Sequence, residues 1–244
     1  MTHPARRRTF LAFSGGKDST ALAYRMRELG EPFVMLFTPT GNELPGLREH
    51  VEATARAVDA ELIIPPNRSL DEWITHFNGL PNWRQRWCTR LIKIVPCIEF
   101  LKQHEGSTLV VGLRADEEER TGLYGEWATY RYPLREWGWG IKDVYAYLAR
   151  RGVSIPKRTD CALCYGQRLE EWHALWREHP EEYARGEAYE ARTGFTFRSK
   201  GRDTWPAGLA ALRGEFERGR KLRLRVVQDD DEDSEQKACR VCAG

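Results

Sequence analysis

The 244-residue chain is 41% hydrophobic and 30% charged, an ordinary soluble-protein composition, long enough to bury a full core. No apolar run approaches the roughly 20 residues that span a bilayer, so a membrane-spanning role is excluded. The formal charge of +2 hides an asymmetry: Asp229, Asp230, Asp231, Glu232, Asp233 and Glu235 carry six negatives, which leaves the rest of the chain at +8.

In chain order, the basic N-terminus precedes only the short apolar stretch Phe10 to Phe13. That is too short for a signal-peptide core and points to the cytoplasm. Thr9 to Phe13 reads as a buried strand, and Asp18 to Leu29 has helical apolar spacing with Gly30 ending it. A second strand is expected at Pro32 to Phe37, a helix from Leu47 to Val58, and a third strand at Glu61 to Ile64. An aromatic and Arg-rich loop then leads to a helix from Arg90 to Lys102 and a strand at Thr108 to Leu113. Strands alternating with helices predict βαβ units, with ligands at the C-terminal ends of the strands.

Beyond Arg131 the alternation fades. Ile141 to Arg151 reads as a helix, and Gln167 to Arg177 as an amphipathic, Trp-rich one. Trp172, Leu175 and Trp176 are expected in a core, with Phe195, Phe197 and Trp205 folding the extension back onto the domain. His173 reads as a structural histidine rather than a ligand. From Asp229 the acidic tail is expected to be disordered. The expected units are a nucleotide-binding domain over 1–160, a helical extension over 161–228 and a tail over 229–244.

Ser14-Gly15-Gly16-Lys17-Asp18-Ser19 lies between the first strand and the first helix, where backbone N–H groups and a helix N-terminus meet an anion. Gly15 and Gly16 permit a close backbone approach. Lys17 supplies charge for phosphate, and Ser14 and Ser19 supply hydroxyls. Asp18 either caps the helix or helps hold Mg²⁺. The string matches neither GxxxxGK[ST] nor GxGxxG.

SGGKDS resembles the PP-loop of N-type ATP pyrophosphatases and of the phosphoadenosine phosphosulfate (PAPS) reductase family, and the likeness runs in order over roughly residues 8 to 165. Thr40-Gly41-Asn42-Glu43-Leu44-Pro45 resembles that family's DTGxxFPE segment. Cys88-Thr89-Arg90-Leu91-Ile92-Lys93-Ile94-Val95-Pro96 resembles CCxxRKxxP, and Gly112-Leu113-Arg114 with Asp116, Glu117 and Arg120 resembles GIRxxES..R. Tyr132-Pro133-Leu134 and Trp139 to Val144 are similar to PLxxWxxxDV. The resemblance implies an α/β fold of the adenine nucleotide alpha-hydrolase kind. Its expected form is a doubly wound, mostly parallel five-stranded sheet with a small, mostly helical C-terminal extension. It also implies ATP at Ser14 to Ser19 and Gly41, phosphates facing Lys17, Arg114 and Arg120, and Mg²⁺ served by Glu43 and Asp18. Lys93 and Arg90 would line the reaction end. For Arg114 and Arg120 the competing reading is an ion pair with Asp116 or Glu117.

Six cysteines in an intracellular chain argue against disulfides, and four form the pairs Cys161/Cys164 and Cys239/Cys242. Iron–sulfur members of the family hold a [4Fe–4S] cluster with a CC pair and a later CxxC. Here Thr89 replaces one cysteine, so Cys88, Cys161 and Cys164 are the expected ligands, leaving one iron open to sulfide. Zinc on the two CxxC pairs, or Cys239 or Cys242 as a further ligand, is the alternative. Cys97, on an apolar helix face, reads as a small buried hydrophobe.

These readings favour an enzyme that adenylates a substrate with ATP for sulfur transfer to a nucleobase or nucleic acid. The expected partners are tRNA or DNA and a sulfur-donor protein or sulfide, with the oligomeric state open. A basic, aromatic segment from Trp83 to Trp87 suits a nucleic-acid partner. A sulfonucleotide reductase is the runner-up, although the family's C-terminal ECGIH segment is missing here. A non-catalytic nucleotide-binding protein is the third reading.

Overall fold

A computed structural model describes residues 8–117 and 126–222. Five strands form one all-parallel sheet: β1 (Thr9–Ala12), β2 (Val34–Leu36), β3 (Leu62–Ile63), β4 (Thr108–Val110) and β5 (Thr129–Arg131), in the order β3-β2-β1-β4-β5. The α/β class and the five strands agree with expectation, and every pairing among these five is parallel.

The strands read as continuous apolar runs because both faces are covered. Leu11, Met35 and Val110 point to one face, where they join a core with α1 (Lys17–Glu28), α2 (Leu47–Ala57) and α6 (Ile141–Arg150). Phe10, Leu36 and Leu109, their neighbours in sequence, point to the other face and pack with Cys97 and Leu101 of α4 (Val95–Lys102). This is the two-residue alternation of a strand used on both sides. Because β2 and β4 flank β1, the chain reverses direction across the sheet there, which opens a crevice beyond the strand ends.

A separate core unites α3 (Leu70–Phe77), α7 (Leu169–Glu178), α8 (Pro180–Thr193) and α9 (Leu209–Glu217). Trp172, Tyr183, Phe197 and Leu209 are its buried centre. The short α5 (Pro133–Glu136) completes the helices. Trp172 and Leu175 sit in the core as expected, and Trp176 packs at its margin. Phe195 does not fold back: it is one of the most exposed large hydrophobics.

Two segments differ in kind from expectation. The stretch after β3 contains α3, whose N-cap Ser69 accepts from the backbone N–H of Glu72 while the Glu72 carboxylate accepts from that of Ser69. This reciprocal capping box starts the helix inside what composition reads as a loop. The expected helix from Arg90 is also not uniform. Thr89–Ile94 is a π-helix that passes into α4 at Val95, with Pro96 in the first α-turn.

Candidate nucleotide and thiol sites

The Ser14–Ser19 loop leaves β1 and enters α1 at the crevice. Gly15 has φ +76°, and a Cβ there would lie 2.6 Å from a methyl of Leu47 on α2. Glycine is therefore required both by conformation and by space. Gly16 is the N-cap of α1, with no side-chain cap, so Asp18 is not the capping residue. The Ser19 hydroxyl donates to the Gly16 carbonyl at 3.1 Å and sits 3.3 Å from the Ser14 hydroxyl. At the end of β4, Gly112 lies so close that a Cβ would meet the Ser19 backbone nitrogen at 3.3 Å.

A cleft of about 200 Å³ opens here. Ser14, Gly16, Asp18 and Ser19 form one wall, with Phe37, Thr38 and Glu43 beyond β2 and Gly112, Leu113 and Glu117 beyond β4. Thr159 and Asp160 close it from the segment before the first CxxC. These two residues belong to no motif readable in the sequence; their only signal is adjacency to Cys161. Cys97 borders the cleft floor as a buried thiol, and burial pushes its pKa up to about 12.

Asp18 is the electrostatic centre. Its Oδ2 accepts from Arg114 Nη1 at 3.0 Å and stands 3.6 Å from Lys17 Nζ, while Oδ1 is buried without a hydrogen-bond partner. Burial raises its carboxyl pKa, against the pull of Lys17 and Arg114. Arg114, 5% exposed, also donates from Nε to Asp116 Oδ1 at 2.8 Å. Its guanidinium is thus engaged by carboxylates, as in the ion-pair reading. Burial opposes the charge on Arg114, but Asp18, Glu117 and Asp116 hold it more firmly protonated than usual. Lys17 is 2% exposed and lies toward Tyr145, 6.0 Å from the ring centre, rather than along the cleft wall. An orphaned carboxylate oxygen in a cleft that Glu43 and Glu117 also line suits Mg²⁺, which takes one or two carboxylates and completes its shell with phosphates and water.

Gly41, expected at the nucleotide, is instead a turn residue with φ +68°, packed 2.8 Å (as a Cβ) from Ser69. The turn is held by Glu43, whose Oε1 accepts from the Thr40 backbone N–H at 2.5 Å and from its hydroxyl at 2.6 Å. The same turn receives the CxxC loop. Glu43 and Cys161 form an antiparallel bridge, and Ala162 donates its N–H to the Asn42 carbonyl at 2.7 Å.

That bridge brings three of the expected cysteines together. Cys88, Cys161 and Cys164, all without disulfides, line one enclosed cavity with Thr40, Ile92, Lys93 and Tyr165. Thr40 Oγ1 is 3.4 Å from Cys161 Sγ. Burial, then the neighbouring Cys88 thiol, pushes the Tyr165 phenol up. Cys161 and Lys93 border this cavity and the nucleotide cleft alike. Three sulfur donors, no carboxylate and one lysine suit an anionic, thiolate-bound iron–sulfur centre in chemistry. In space they do not yet fit one: the free volume is about 20 Å³, about that of one water. Among the described residues, no three His, Cys, Asp or Glu side chains are grouped to hold a single metal ion.

Arg90 departs from expectation. It is exposed and lines a separate groove on the other side of the π-helix, away from Lys93. In an α-helix residues three apart share a face, but the wider π-turn rotates them apart. Arg120, Cys239 and Cys242 lie outside the described residues, as does the acidic tail.

A model of the phosphoadenosine phosphosulfate reductase domain matches residues 8–157. Two uncharacterized proteins of Methanocaldococcus jannaschii are similar. One is 24% identical over 193 residues, covering 72% of this chain and 40% of that protein. The other is 25% identical over 134 residues, covering 52% and 32%. The chain thus spans well under half the length of these relatives. Among solved structures, a PAPS reductase from Candida auris in a phosphate complex aligns with a TM-score of 0.48 at 20% identity, covering 63% of this chain and 76% of that one.

Proposed function

Since the chain belongs to the phosphoadenosine phosphosulfate reductase domain family, we propose that it is an ATP pyrophosphatase that adenylates a nucleobase oxygen and replaces it with sulfur. The observation that carries this reading is the shared border of cleft and thiol cavity at Cys161 and Lys93. A phosphate chain in the cleft would place its reacting end against the sulfur site.

In the first step the carbonyl oxygen of the base attacks the α-phosphorus of ATP. The bond from that phosphorus to the bridging oxygen breaks, and pyrophosphate leaves with the electron pair. Asp18 and Glu43 would hold Mg²⁺ and the Ser14–Ser19 backbone would meet the phosphates, while Lys17, buried toward Tyr145, would have to turn into the cleft to join it. In the second step a hydrosulfide attacks the activated carbon, the C–O bond breaks, and AMP leaves with the electron pair. The remaining S–H proton passes to solvent, and no electron is gained or lost. Lys93, which borders both spaces, would offset charge on the departing AMP. Such chemistry needs positioned phosphates and charge stabilisation more than a protein base. A [4Fe–4S] cluster would be held by Cys88, Cys161 and Cys164 and would supply sulfide, but the cavity of about 20 Å³ does not fit it; zinc, the alternative, would use the pairs Cys161/Cys164 and Cys239/Cys242.

The family itself favours a second reading, reduction of a sulfonucleotide to sulfite. The two are separated by product. With ATP, Mg²⁺, sulfide and nucleic acid, the first reading expects equal AMP and pyrophosphate. With PAPS or adenylylsulfate and thioredoxin, it expects no sulfite. Sulfite from the second mixture without pyrophosphate from the first would establish the reductase instead.

A further inference from the structure

The side of the π-helix that carries Arg90 borders an open groove of about 1040 Å³. Its walls include Phe77, the last residue of α3, and Phe195, which follows the Gly194 C-cap of α8. Both rings are turned to solvent, 46% and 59% exposed. Trp87 stands beside Phe77, with ring centroids 5.3 Å apart. Arg90, exposed, and Arg86, half-buried beside the Tyr165 phenol, line the same walls, and among the described residues no acidic side chain does. Thr89 borders both this groove and the thiol cavity.

Exposed aromatic faces with guanidiniums and no carboxylate match a chain that alternates π-faces with phosphates. Single-stranded nucleic acid has this character, because its bases are free to stack. A duplex hides its base faces, and an apolar protein partner would leave the two guanidiniums without counter-charges. We propose that this groove docks a single-stranded segment of nucleic acid. Bases stack on Phe77, Trp87 and Phe195, phosphates lie along Arg86 and Arg90, and one unstacked base is directed past Thr89 toward the thiol cavity. The inference rests on the reading that the acceptor is a nucleobase, and adds where the strand lies.

The test measures binding of short fluorescent RNA and DNA strands, single and duplex, to the full 244-residue chain. Single strands should bind in preference to duplex. The double substitution Phe77→Ala with Phe195→Ala should weaken that binding by about tenfold or more, the scale of lost stacking. Phe77→Trp should retain it. Arg90→Ala should make binding less steeply salt-dependent, since a phosphate contact is lost. Both phenylalanines are exposed, so an unchanged melting temperature will show that the variants fold. Equal affinity for duplex, or aromatic variants that fold and bind like the parent, would overturn the proposal. Strands that bind in this pattern but are never thiolated would leave the docking site standing and refute the sulfur-transfer reading. Thionucleoside formation that persists while the aromatic and Arg90 variants bind strands like the parent would do the reverse. A preference between RNA and DNA identifies the natural strand.

Discussion

At Gly15 the backbone conformation and the proximity of Leu47 act together. Gly15→Ala would place a Cβ in a left-handed conformation costing about 1–2 kcal/mol and drive it into the Leu47 methyl. The loop should shift and ATP affinity in calorimetry should fall at least tenfold, while an unchanged affinity would show that this loop does not hold the phosphates. Asp18 makes a different claim. Its Oδ1 is buried without a hydrogen-bond partner, so it has room to accept from a further cation beside Lys17 and Arg114. Asp18→Asn keeps the shape and removes the charge, so Mg²⁺ should no longer tighten ATP binding. Retained magnesium dependence would move the cation to Glu43 or Glu117.

Among the elements, α8 and α9 are joined through Glu190. Its carboxylate accepts from the Leu209 backbone N–H at 2.6 Å and the Phe197 N–H at 2.9 Å. Burial outweighs these bonds and pushes its pKa up from 4.5 to about 7. The folded chain therefore keeps a proton that the unfolded chain releases above 4.5. The stability contributed by this group falls as pH rises from 4.5 to about 7 and is level beyond. Melting curves across that window should show the decline in the parent and a flatter profile in Glu190→Gln. Equal slopes would mean that Glu190 is ionised throughout.

The same scale shows what the sequence made legible. The Ser14–Ser19 loop, the strand–helix alternation and the presence of Cys88, Cys161 and Cys164 on one cavity could be read because each depends on a local pattern or an ordered motif. The helix α3 was also legible, in the Ser69–Glu72 capping box, yet aromatic and Arg-rich composition conceals it. Arg90 was not, because a π-helix has no composition signature and its register alone turns Arg90 away from Lys93. Nor were Thr159 and Asp160, which reach the cleft only because the Glu43–Cys161 bridge folds their segment over it.

For the whole molecule, a sheet-centred core and a helical core meet at the turn after β2, the CxxC loop and the π-helix. Ile92 of the π-helix and Leu44 of the turn belong to the helical core, while Phe37 just before the turn belongs to the sheet. Nucleotide cleft, thiol cavity and aromatic groove follow one another across this seam, joined at Cys161 and Lys93 and then at Thr89. Among the described residues no helix is long and apolar enough to cross a membrane. Under the proposed reading, these three adjoining spaces would serve activation, sulfur delivery and acceptor docking. The most direct test of this account follows labelled sulfide into nucleic acid. The chain, ATP, Mg²⁺ and ³⁵S-sulfide are incubated anaerobically with tRNA or single-stranded DNA, and the digested nucleosides are separated. The account predicts a labelled thionucleoside formed in step with AMP and pyrophosphate, and lost in Asp18→Asn. ATP binding that yields no labelled nucleoside, together with sulfite release from PAPS, would contradict it.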